Sequence, residues 1–359
     1  MKKVMFVIGT LSGGGAERVV TSVASSMAEK GYEVSILIFY HTNDEYSYSN
    51  KIKIISISDS GIHEYKKNSN IDLIVKFRKI IKETNPQKIF CFLSKTSVIT
   101  FISTLFTKFQ KRVVFTVRAN PNMDNSKIGR LHKFLYRFVK KTIVQNEGQK
   151  NCFPKGVQNK TIVIPNPMYD EMFLYDKQYS KEAKNIVSVG RLTSQKNYEL
   201  SINAIEKLYA NHPNINYYIY GEGPLKSKLS NLITEKSLDN VIHIMGFEKD
   251  RKIIYGDKDI FLMTSKYEGM PNSLAEAMCM GIPVISTDCD FGPRDLIMNK
   301  DMGILLNDFE IDTLVNELTN VINDYNSFIE KAIHSQNILK EKYGFNKIVD
   351  MWEKVVEGD

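Results

Sequence analysis

The sequence predicts two doubly wound α/β domains in tandem, each with a parallel sheet covered by helices on both faces. Three observations predict this class. The 359 residues exceed what one ordinary hydrophobic core organises. Short runs of Val, Ile and Phe alternate with amphipathic stretches along the whole chain, which is typical of buried parallel strands joined by helices. A polar and charged stretch at 169–184 interrupts this alternation once and indicates a linker.

The first half supplies seven predicted strands and four predicted helices. The strands are "KVMFVIG", "YEVSILIFY", "KIKIISIS", "KIFCFLS", "RVVFTVR", "KTIVQN" and "TIVIPNPM", and the helices lie near 16–30, 71–83, 97–109 and 126–140. The first helix is predicted to stop at Gly31, because glycine readily takes the left-handed conformation that ends a helix. We expect the first domain to comprise residues 1–170.

The second half repeats the pattern and defines a domain at 171–359. Its final helix, near 346–357, follows the last predicted strand and can pack back on the first domain. The predicted strands are "NIVSVGR", "INYYIYG", "VIHIMGF", "DIFLMTS", "IPVIST" and "MGILL", and the helices lie near 198–210, 224–236, 272–281, 310–323, 327–341 and 346–357.

Composition narrows the class of protein. Apolar residues make up 43% and charged residues 25%, which is a globular composition. No run approaches the ~18 uncharged apolar residues of a membrane helix, and the run Val4 to Ile8 is a buried strand rather than a signal peptide. Four scattered cysteines without a C-x-x-C pair predict a reducing cytoplasm and no zinc site.

Positive charge is concentrated in the first half of the chain. Residues 1–175 hold 27 Lys and Arg against 13 Asp and Glu, whereas the whole chain has a net charge of only +7. Such one-sided charge predicts an anionic partner, which can be a nucleic acid, a phosphate-bearing substrate or an anionic membrane surface.

Glycines follow the first strand in "GTLSGGGAERVV". Gly13, Gly14 and Gly15 leave backbone N–H groups open where a helix begins, and helix N-termini bind anions. Arg18 stands where a dinucleotide fingerprint needs its third glycine, so that fingerprint is excluded. The loop therefore predicts an anion or substrate contact, and a flexible turn without a ligand is the alternative.

Two cations follow the first strand of the second half, in "SVGRLTSQKN". Arg191 and Lys196 suit a diphosphate, because Arg supplies a planar fork and Lys a point charge. Ordinary surface charges are the alternative. Gly221, at the end of the next strand, favours the first interpretation because glycine permits a ligand to approach the backbone closely.

The stretch "EGMPNSLAEAMCMG" places two carboxylates around a predicted helix start, with Asn272 or Ser273 as its cap. The helix is apolar apart from Glu276, so it is predicted to be buried. Adjacent hydroxyls such as those of a ribose would satisfy that carboxylate without an opposing charge. Glu268 would hold a second polyol, and the helix start between them would receive a phosphate. A surface helix that happens to carry Glu is the alternative.

These residues resemble glycosyltransferase family 4, a family of retaining enzymes with the GT-B fold. The resemblance rests on Glu268-x7-Glu276, Gly14–Arg18, Arg191 with Lys196, and "FGPRDLI" at 291–297. Bacterial members that build polyprenyl-diphosphate-linked polysaccharides and glycans are the most similar in pattern. The resemblance implies two Rossmann-like domains that face a central cleft.

The resemblance also implies a role for each matching residue. Lys196 and Arg191 would neutralise the leaving diphosphate, Glu268 would contact the donor sugar and Glu276 the nucleotide ribose. Many relatives carry a His where this chain has Arg118, which can hold a phosphate or carboxylate or form a salt bridge at the strand end. The backbone of Gly269, Met270, Asn272, Ser273 and Leu274 would meet the diphosphate, and Gly14 and Gly15 would approach it from the first domain.

The expected function is transfer of a hexose or N-acetylhexosamine from a nucleotide sugar, which we expect to be a UDP sugar, to a polyprenyl-diphosphate-linked glycan in surface polysaccharide biosynthesis. Neither a metal nor another cofactor is expected, because cationic side chains replace Mg²⁺. A sugar-nucleotide epimerase of the same architecture is the alternative enzyme. A nucleic-acid-binding protein is a third class, which no nucleic-acid motif supports.

A cytoplasmic location is expected, with peripheral attachment to the inner face of the plasma membrane as a further step. The segment "LHKFLYRFVKK" places Leu131, Phe134, Leu135 and Phe138 at helical spacing with cations on the flanks. That pattern is typical of an interfacial amphipathic helix. An ordinary helix that buries its apolar face in the domain core is the alternative.

Overall fold

A computed structural model describes residues 1–43, 45–58, 70–121 and 124–358, which form two units with a parallel sheet each. Unit 1 comprises Met1–Pro167 with Asn346–Asp359, and unit 2 comprises Met168–Phe345. The chain therefore crosses from unit 1 to unit 2 three residues before the predicted boundary and returns for its last helix. The doubly wound α/β fold class is confirmed for both halves.

Unit 1 has seven parallel strands in the order β3-β2-β1-β4-β5-β6-β7. The order reverses between β1 and β4, so the carboxyl ends of these two strands flank a switch point, where such sheets bind ligands. The strands are β1 Lys3–Val7, β2 Glu33–Tyr40, β3 Lys53–Ser58, β4 Lys88–Phe92, β5 Val113–Thr116, β6 Lys141–Val144 and β7 Thr161–Val163, and the helices are α1 Gly15–Glu29, α2 Asn70–Thr84, α3 Ser94–Thr104, α4 Lys127–Leu135, α5 Glu147–Asn151 and α6 Lys155–Gln158.

Unit 2 has six parallel strands in the order β10-β9-β8-β11-β12-β13, with its switch point between β8 and β11. The strands are β8 Asn185–Val189, β9 Asn216–Tyr220, β10 Ile242–Gly246, β11 Ile260–Met263, β12 Val284–Thr287 and β13 Ile304–Leu306, and the helices are α7 Asp170–Phe173, α8 Tyr198–Tyr209, α9 Lys226–Glu235, α10 Arg251–Tyr255, α11 Asn272–Cys279, α12 Pro293–Leu296, α13 Ile311–Asn323 and α14 Tyr325–Tyr343.

The stretch 169–184 is not the linker that its polarity predicted. It contains α7, whose Met172 and Phe173 are buried in the core of unit 2. The Lys177 ammonium donates to the backbone carbonyls of Tyr255 and Gly256 at 3.3 and 3.1 Å. These anchors are distant in sequence, which explains why local composition misjudged the segment.

The last helix, α15 (Phe345–Glu357), packs within unit 1 from Asn346 onward. Its buried Trp352 lies against three strand phenylalanines, with ring centroids 6.3 Å from Phe6, 5.1 Å from Phe90 and 5.9 Å from Phe92. Lys30 follows α1 and its Nζ pairs with the Asp350 carboxylate at 2.8 Å. The helix is therefore an integral part of the first sheet's packing.

The helix predicted over 126–140 is shorter than its periodicity indicated. The α4 helix ends at Leu135, so Phe138 lies beyond it in a turn. Leu135 is buried in the core and does not share the exposed side of Leu131, Phe134 and Phe138. In the described ranges, no helix is both long enough and apolar enough to cross a membrane.

Candidate active site

The loops that follow β8 and β11 are tied together at the switch point of unit 2. The Lys266 N–H donates to the Gln195 carbonyl at 2.8 Å, and Gln195 Nε2 donates to the Tyr267 carbonyl at 2.9 Å. The Thr264 hydroxyl donates to the Lys196 carbonyl at 3.0 Å. These bonds bring two of the predicted catalytic residues, one from each loop, to the same place.

Lys196 and Glu268 form an ion pair with 2.6 Å between Nζ and Oε1. Glu268 is 8% exposed, and its own N–H donates to the Asp290 carbonyl at 3.1 Å, which fixes the loop. An ammonium has three N–H donors, so one bond to Glu268 leaves Lys196 capacity for phosphate oxygens. The pair is a charge-assisted contact in a water-poor setting, where electrostatic effects are large.

Arg191 is exposed in the same loop as Lys196. Next to Arg191, the backbone that follows β8 and the backbone that follows β9 are in close contact. Gly221 has a φ of +147°, and a Cβ atom on it would lie 2.0 Å from the Gly190 carbonyl oxygen. Packing against backbone is therefore sufficient to require glycine at 221, and the substrate contact predicted for it stays a prediction.

Glu276 is buried on α11, as predicted, but it has an opposing charge. Its Oε2 accepts from the Tyr255 hydroxyl at 3.1 Å, and its Oε1 lies 3.5 Å from Arg251 Nε. The carboxylate therefore has a cationic neighbour that the sequence did not predict. A carboxylate offers about four lone-pair sites and can therefore accept from several donors at once.

Arg251 and Tyr255 are site residues that the sequence did not reveal. They lie on α10, a helix of five residues that is too short for a periodic signal. Asp250 caps it by accepting from the Lys252 N–H at 2.8 Å, and Gly256 follows its last residue. The aspartate and glycine that bracket "RKIIY" were the available signal, since both residues mark helix ends.

The start of α11 differs in one detail from the prediction. Pro271 in extended conformation is the N-cap and makes no side-chain cap hydrogen bond, so neither Asn272 nor Ser273 caps the helix. Asn272 and Ser273 are partly exposed in the first turn, whereas Gly269, Met270 and Leu274 are buried. The first N–H groups of a helix have no intrahelical acceptor, which makes this turn suitable for an anion.

The segment 291–297 packs against the backbone that leads into α11. Gly292 has φ +93°, and a Cβ atom there would lie 2.5 Å from Pro271 Cδ and 2.7 Å from the Gly269 carbonyl oxygen. Phe291 also has positive φ, at 64°. Any side chain at 292 would displace the turn that carries Gly269 to Pro271, so this glycine positions the start of α11.

In unit 1, Gly14 is the N-cap of α1 and Gly15 is the first helical residue. An acidic side chain lies at this helix start, because a Cβ atom on Gly14 would be 2.3 Å from Glu17 Oε2. A carboxylate near a helix N-terminus is favourable in itself. The anion contact predicted for Gly14 and Gly15 stays a prediction, and a ligand there would have to share the site with Glu17.

Arg118 lies just beyond β5 in unit 1. Its Nη1 donates to Asn166 Oδ1 at 3.0 Å, and no ion pair to Arg118 is found among the described residues. The salt bridge that the sequence left open as an alternative for Arg118 is therefore absent among the described residues. Likewise, the described ranges contain no group of three or more His, Cys, Asp or Glu side chains arranged for a metal ion.

Comparison with solved structures shows the fold of the whole chain. Anabaena HepE, solved in complex with UDP and glucose, superposes with a TM-score of 0.83 at 17% identity, covering 100% of both chains. Residues 13–171 match the family model "Glycosyltransferase Family 4", and residues 175–335 match "Glycosyl transferases group 1". The chain is a GT-B glycosyltransferase. The resemblance to family 4 is thereby confirmed, and the epimerase alternative is not supported.

Two curated relatives align with this glycosyltransferase over nearly their whole length. An uncharacterised glycosyltransferase of Haemophilus influenzae is 24% identical over 99% of this chain and 100% of its own. An α-1,4-N-acetyl-D-galactosaminyltransferase of Campylobacter jejuni, whose name gives a glycan on PP-undecaprenol, is 25% identical over 99% of this chain and 98% of its own.

Proposed function

We propose that this glycosyltransferase moves a hexosyl or N-acetylhexosaminyl group, with retention of configuration, from a UDP sugar to a polyprenyl-diphosphate-linked glycan. The observation that carries the donor half is in unit 2. There the Lys196–Glu268 pair and the cluster of Arg251, Tyr255 and Glu276 are built around α11 and its N-terminal loop. The names of HepE's ligands and of the Campylobacter relative support the choice of UDP and of a lipid-linked acceptor.

The carboxylates would bind the two sugars of the donor. Glu276 would accept from the ribose hydroxyls, and Glu268 would accept from a hydroxyl of the transferred sugar. The helix start between them would receive the diphosphate, whose charge the first-turn N–H groups stabilise. This arrangement assigns a distinct part of the donor to each polar feature of the loop.

The leaving diphosphate gains negative charge as the bond to the sugar breaks, and Lys196 and Arg191 would stabilise that charge. Stabilising developing charge with preorganised groups in a dry site is the largest effect in most such reactions. The C1–O bond to the diphosphate breaks, a C1–O bond to the acceptor forms on the same face, and the acceptor's proton passes to a phosphate oxygen. No metal is needed in this scheme, because the two side chains carry the positive charge.

We expect UDP to raise the melting temperature of the protein in the presence of EDTA. A ligand at 100 times its Kd stabilises the folded state by about 2.7 kcal/mol, which is a measurable thermal shift. The measurement is a melting curve with UDP, GDP or no nucleotide, each in EDTA and in Mg²⁺. A shift that requires Mg²⁺ would contradict the metal-independent site, and no shift with either nucleotide would contradict the donor assignment.

A lipid-linked acceptor would place the reaction at the inner face of the plasma membrane, and α4 with its following turn would contact that membrane. Ile128, Leu131, Phe134 and Phe138 are exposed, at 40–54% of their area, and the rings of Phe134 and Phe138 lie 5.2 Å apart. We call these four residues the apolar ridge. Exposed cations flank it, namely Lys127, Arg130, Arg137 and Lys140.

The alternative of an ordinary core-facing helix does not account for the ridge. The α4 helix already buries His132 and Leu135 in unit 1, so the ridge is a second apolar side that the core does not use. Apolar side chains that enter the interface and cations that meet anionic head groups are the two attractions of a peripheral helix. This combination favours an anionic bilayer over a second copy of the chain, whose cations would repel.

We expect the protein to sediment with vesicles that contain anionic lipid and to bind neutral vesicles more weakly. Replacing both rings, Phe134→Ser with Phe138→Ser, should weaken binding roughly tenfold or more, because each ring loses its burial in the interface. The matched control is Phe309→Ser, which removes a ring of similar exposure from unit 2. Equal binding by both variants, or no binding at low salt, would remove the membrane proposal without affecting the UDP-dependent thermal shift.

A further inference from the structure

The guanidinium of Arg118 lies against aromatic rings near the carboxyl ends of the central strands of the first sheet. Its Cζ lies 5.4 Å from the ring centroid of Phe92, at the end of β4, and 5.1 Å from that of Trp352 on α15. The two rings are themselves nearly parallel, at 16°. Cation–π contacts of this kind attract the guanidinium to the rings.

One side of the guanidinium is fixed by a chain of amides. Asn166 Oδ1 accepts from Arg118 Nη1 and from Gln145 Nε2, each at 3.0 Å. Gln149 in turn accepts from the Gln145 N–H at 2.7 Å and donates Nε2 to the Ala119 carbonyl at 3.2 Å. These amides follow β6 and β7, so three adjacent strand ends cooperate to position one cation.

The other edge of the same guanidinium has no acceptor among the residues that the structure describes. Nε and Nη2 are buried and make no hydrogen bond to any described residue. Those two nitrogens form the edge that binds a carboxylate side-on, as Arg294 shows in this chain: its Nε and Nη2 donate to the two oxygens of Asp288 at 2.9 and 2.8 Å. An unsatisfied buried donor costs about 1–3 kcal/mol, and more when it is charged.

We propose that the Nε–Nη2 edge of Arg118 binds an oxyanion of the substrate, either a phosphate of the lipid-linked acceptor or a carboxylate on a sugar. The proposal rests on the transferase function and names the chemistry of one substrate group. A phosphate and a carboxylate share the geometry of two oxygens that this edge requires. Arg118 is partly exposed and the following Ala119 is exposed, so the residue lies at the surface of unit 1 although its Nε and Nη2 atoms are buried.

The protonation state agrees with an anion site. Burial lowers the pKa of Arg118 to about 9, so the guanidinium remains charged at neutral pH. The rings of Phe92 and Trp352 offset part of the desolvation. An oxyanion in the plane of the guanidinium would complete the hydrogen bonding and raise the pKa again.

The experiment follows the arginine side-chain Nε–H signals of ¹⁵N-labelled protein by NMR, with saturating UDP present so that the donor site is filled. The Arg118 signal is assigned by its loss in Arg118→Lys or, if that variant does not fold, in Arg118→Met. Methyl phosphate and glucuronate are then titrated separately. We expect the Arg118 signal to shift with at least one of them, and the Arg294 signal to serve as a control that does not move.

The result with each probe has a defined meaning. A shift with methyl phosphate alone supports a phosphate of the acceptor, a shift with glucuronate alone supports a sugar carboxylate, and a shift with both supports a general oxyanion site. For the probe that binds, affinity should fall about tenfold or more in Arg118→Lys, because the planar fork is lost. An Arg118 signal that neither probe moves overturns the proposal, whereas failure of the transferase function would appear separately, as a missing UDP-dependent thermal shift.

Discussion

Lys196→Ala should lower kcat about 100-fold, since one donor to a developing charge in a dry site is worth about 3 kcal/mol. Arg191→Ala should have a similar effect on kcat, because its side chain is proposed to act on the same leaving diphosphate. The two variants should differ in their free energy of unfolding. Arg191 is exposed, whereas removal of Lys196 leaves the largely buried Glu268 carboxylate without its partner. Only the Lys196 variant should therefore lose stability, by about 3 kcal/mol.

The control for Lys196 distinguishes chemistry from folding. The double variant Lys196→Met with Glu268→Gln removes both charges and should recover most of the lost stability, but not the lost turnover. Lys226→Ala breaks an exposed Lys–Glu pair with Glu222 in the same unit and should change neither quantity appreciably. Steady-state kinetics and urea unfolding provide the measurements. If Lys196→Ala and Arg191→Ala both keep near-parental turnover, the diphosphate assignment is wrong.

Glu276→Ala should weaken binding of UDP about 10- to 100-fold, because hydrogen bonds to a charged group contribute about 1.5–3 kcal/mol. The same change removes the carboxylate that Arg251 and the Tyr255 hydroxyl contact, so the free energy of unfolding should also fall. Isothermal titration calorimetry with UDP measures the first effect and chemical unfolding the second. Glu199→Ala, which breaks an exposed pair with Lys228, is the matched acidic control.

A double-mutant cycle with Arg251→Met separates the structural role of Glu276 from its role toward the ribose. Coupling in the free energy of unfolding reports the Arg251–Glu276 contact, whose N–O distance is 3.5 Å. If Glu276 accepts from ribose hydroxyls directly, Glu276→Ala should weaken UDP binding even in the Arg251→Met background. Loss of the UDP effect in that background would assign Glu276 a purely structural role.

The sequence predicted the buried position of Glu276 correctly because burial follows from local pattern. The residues around it are apolar on every side of α11, and that property requires no knowledge of distant contacts. The same holds for the parallel strands, whose continuous Val, Ile and Phe runs were sufficient to predict both sheets. The doubly wound architecture, the order of the main elements and the location of Lys196 and Glu268 at strand ends were therefore readable from the chain.

The partners of these residues were not readable, for physical reasons. Arg251 and Tyr255 reach Glu276 from a five-residue helix that has no periodicity. The polar segment 169–184 is anchored by Met172 and Phe173 in a core assembled from residues far along the chain. The sequence predicted Asn272 or Ser273 as the cap of α11 because these residue types are preferred at helix starts. In the structure, the contact of Gly292 with the backbone of 269–271 determines where the helix begins.

Arg118 illustrates both limits. Its place after a strand marked it as a site residue, but the sequence left both a salt bridge and a ligand contact open. The aromatic ring of Trp352 that supports it comes from the end of the chain, 234 positions later (352 − 118), so no local pattern links the two residues.

Because the chain returns to unit 1 for its last helix, unit 1 is translated in two parts that are separated by the whole of unit 2. Residues 1–167 leave the ribosome first, and the 178 residues of unit 2 (168–345) follow before Trp352 is made. At typical elongation rates this interval lasts on the order of ten seconds or more. Throughout it, the sides of Phe6, Phe90 and Phe92 that Trp352 later contacts lack that cover, so a nascent first unit offers an aromatic patch to chaperones. Arg118 gains its second ring only after the whole of unit 2 has been translated, and the anion site proposed here is therefore assembled later than the rest of the first unit.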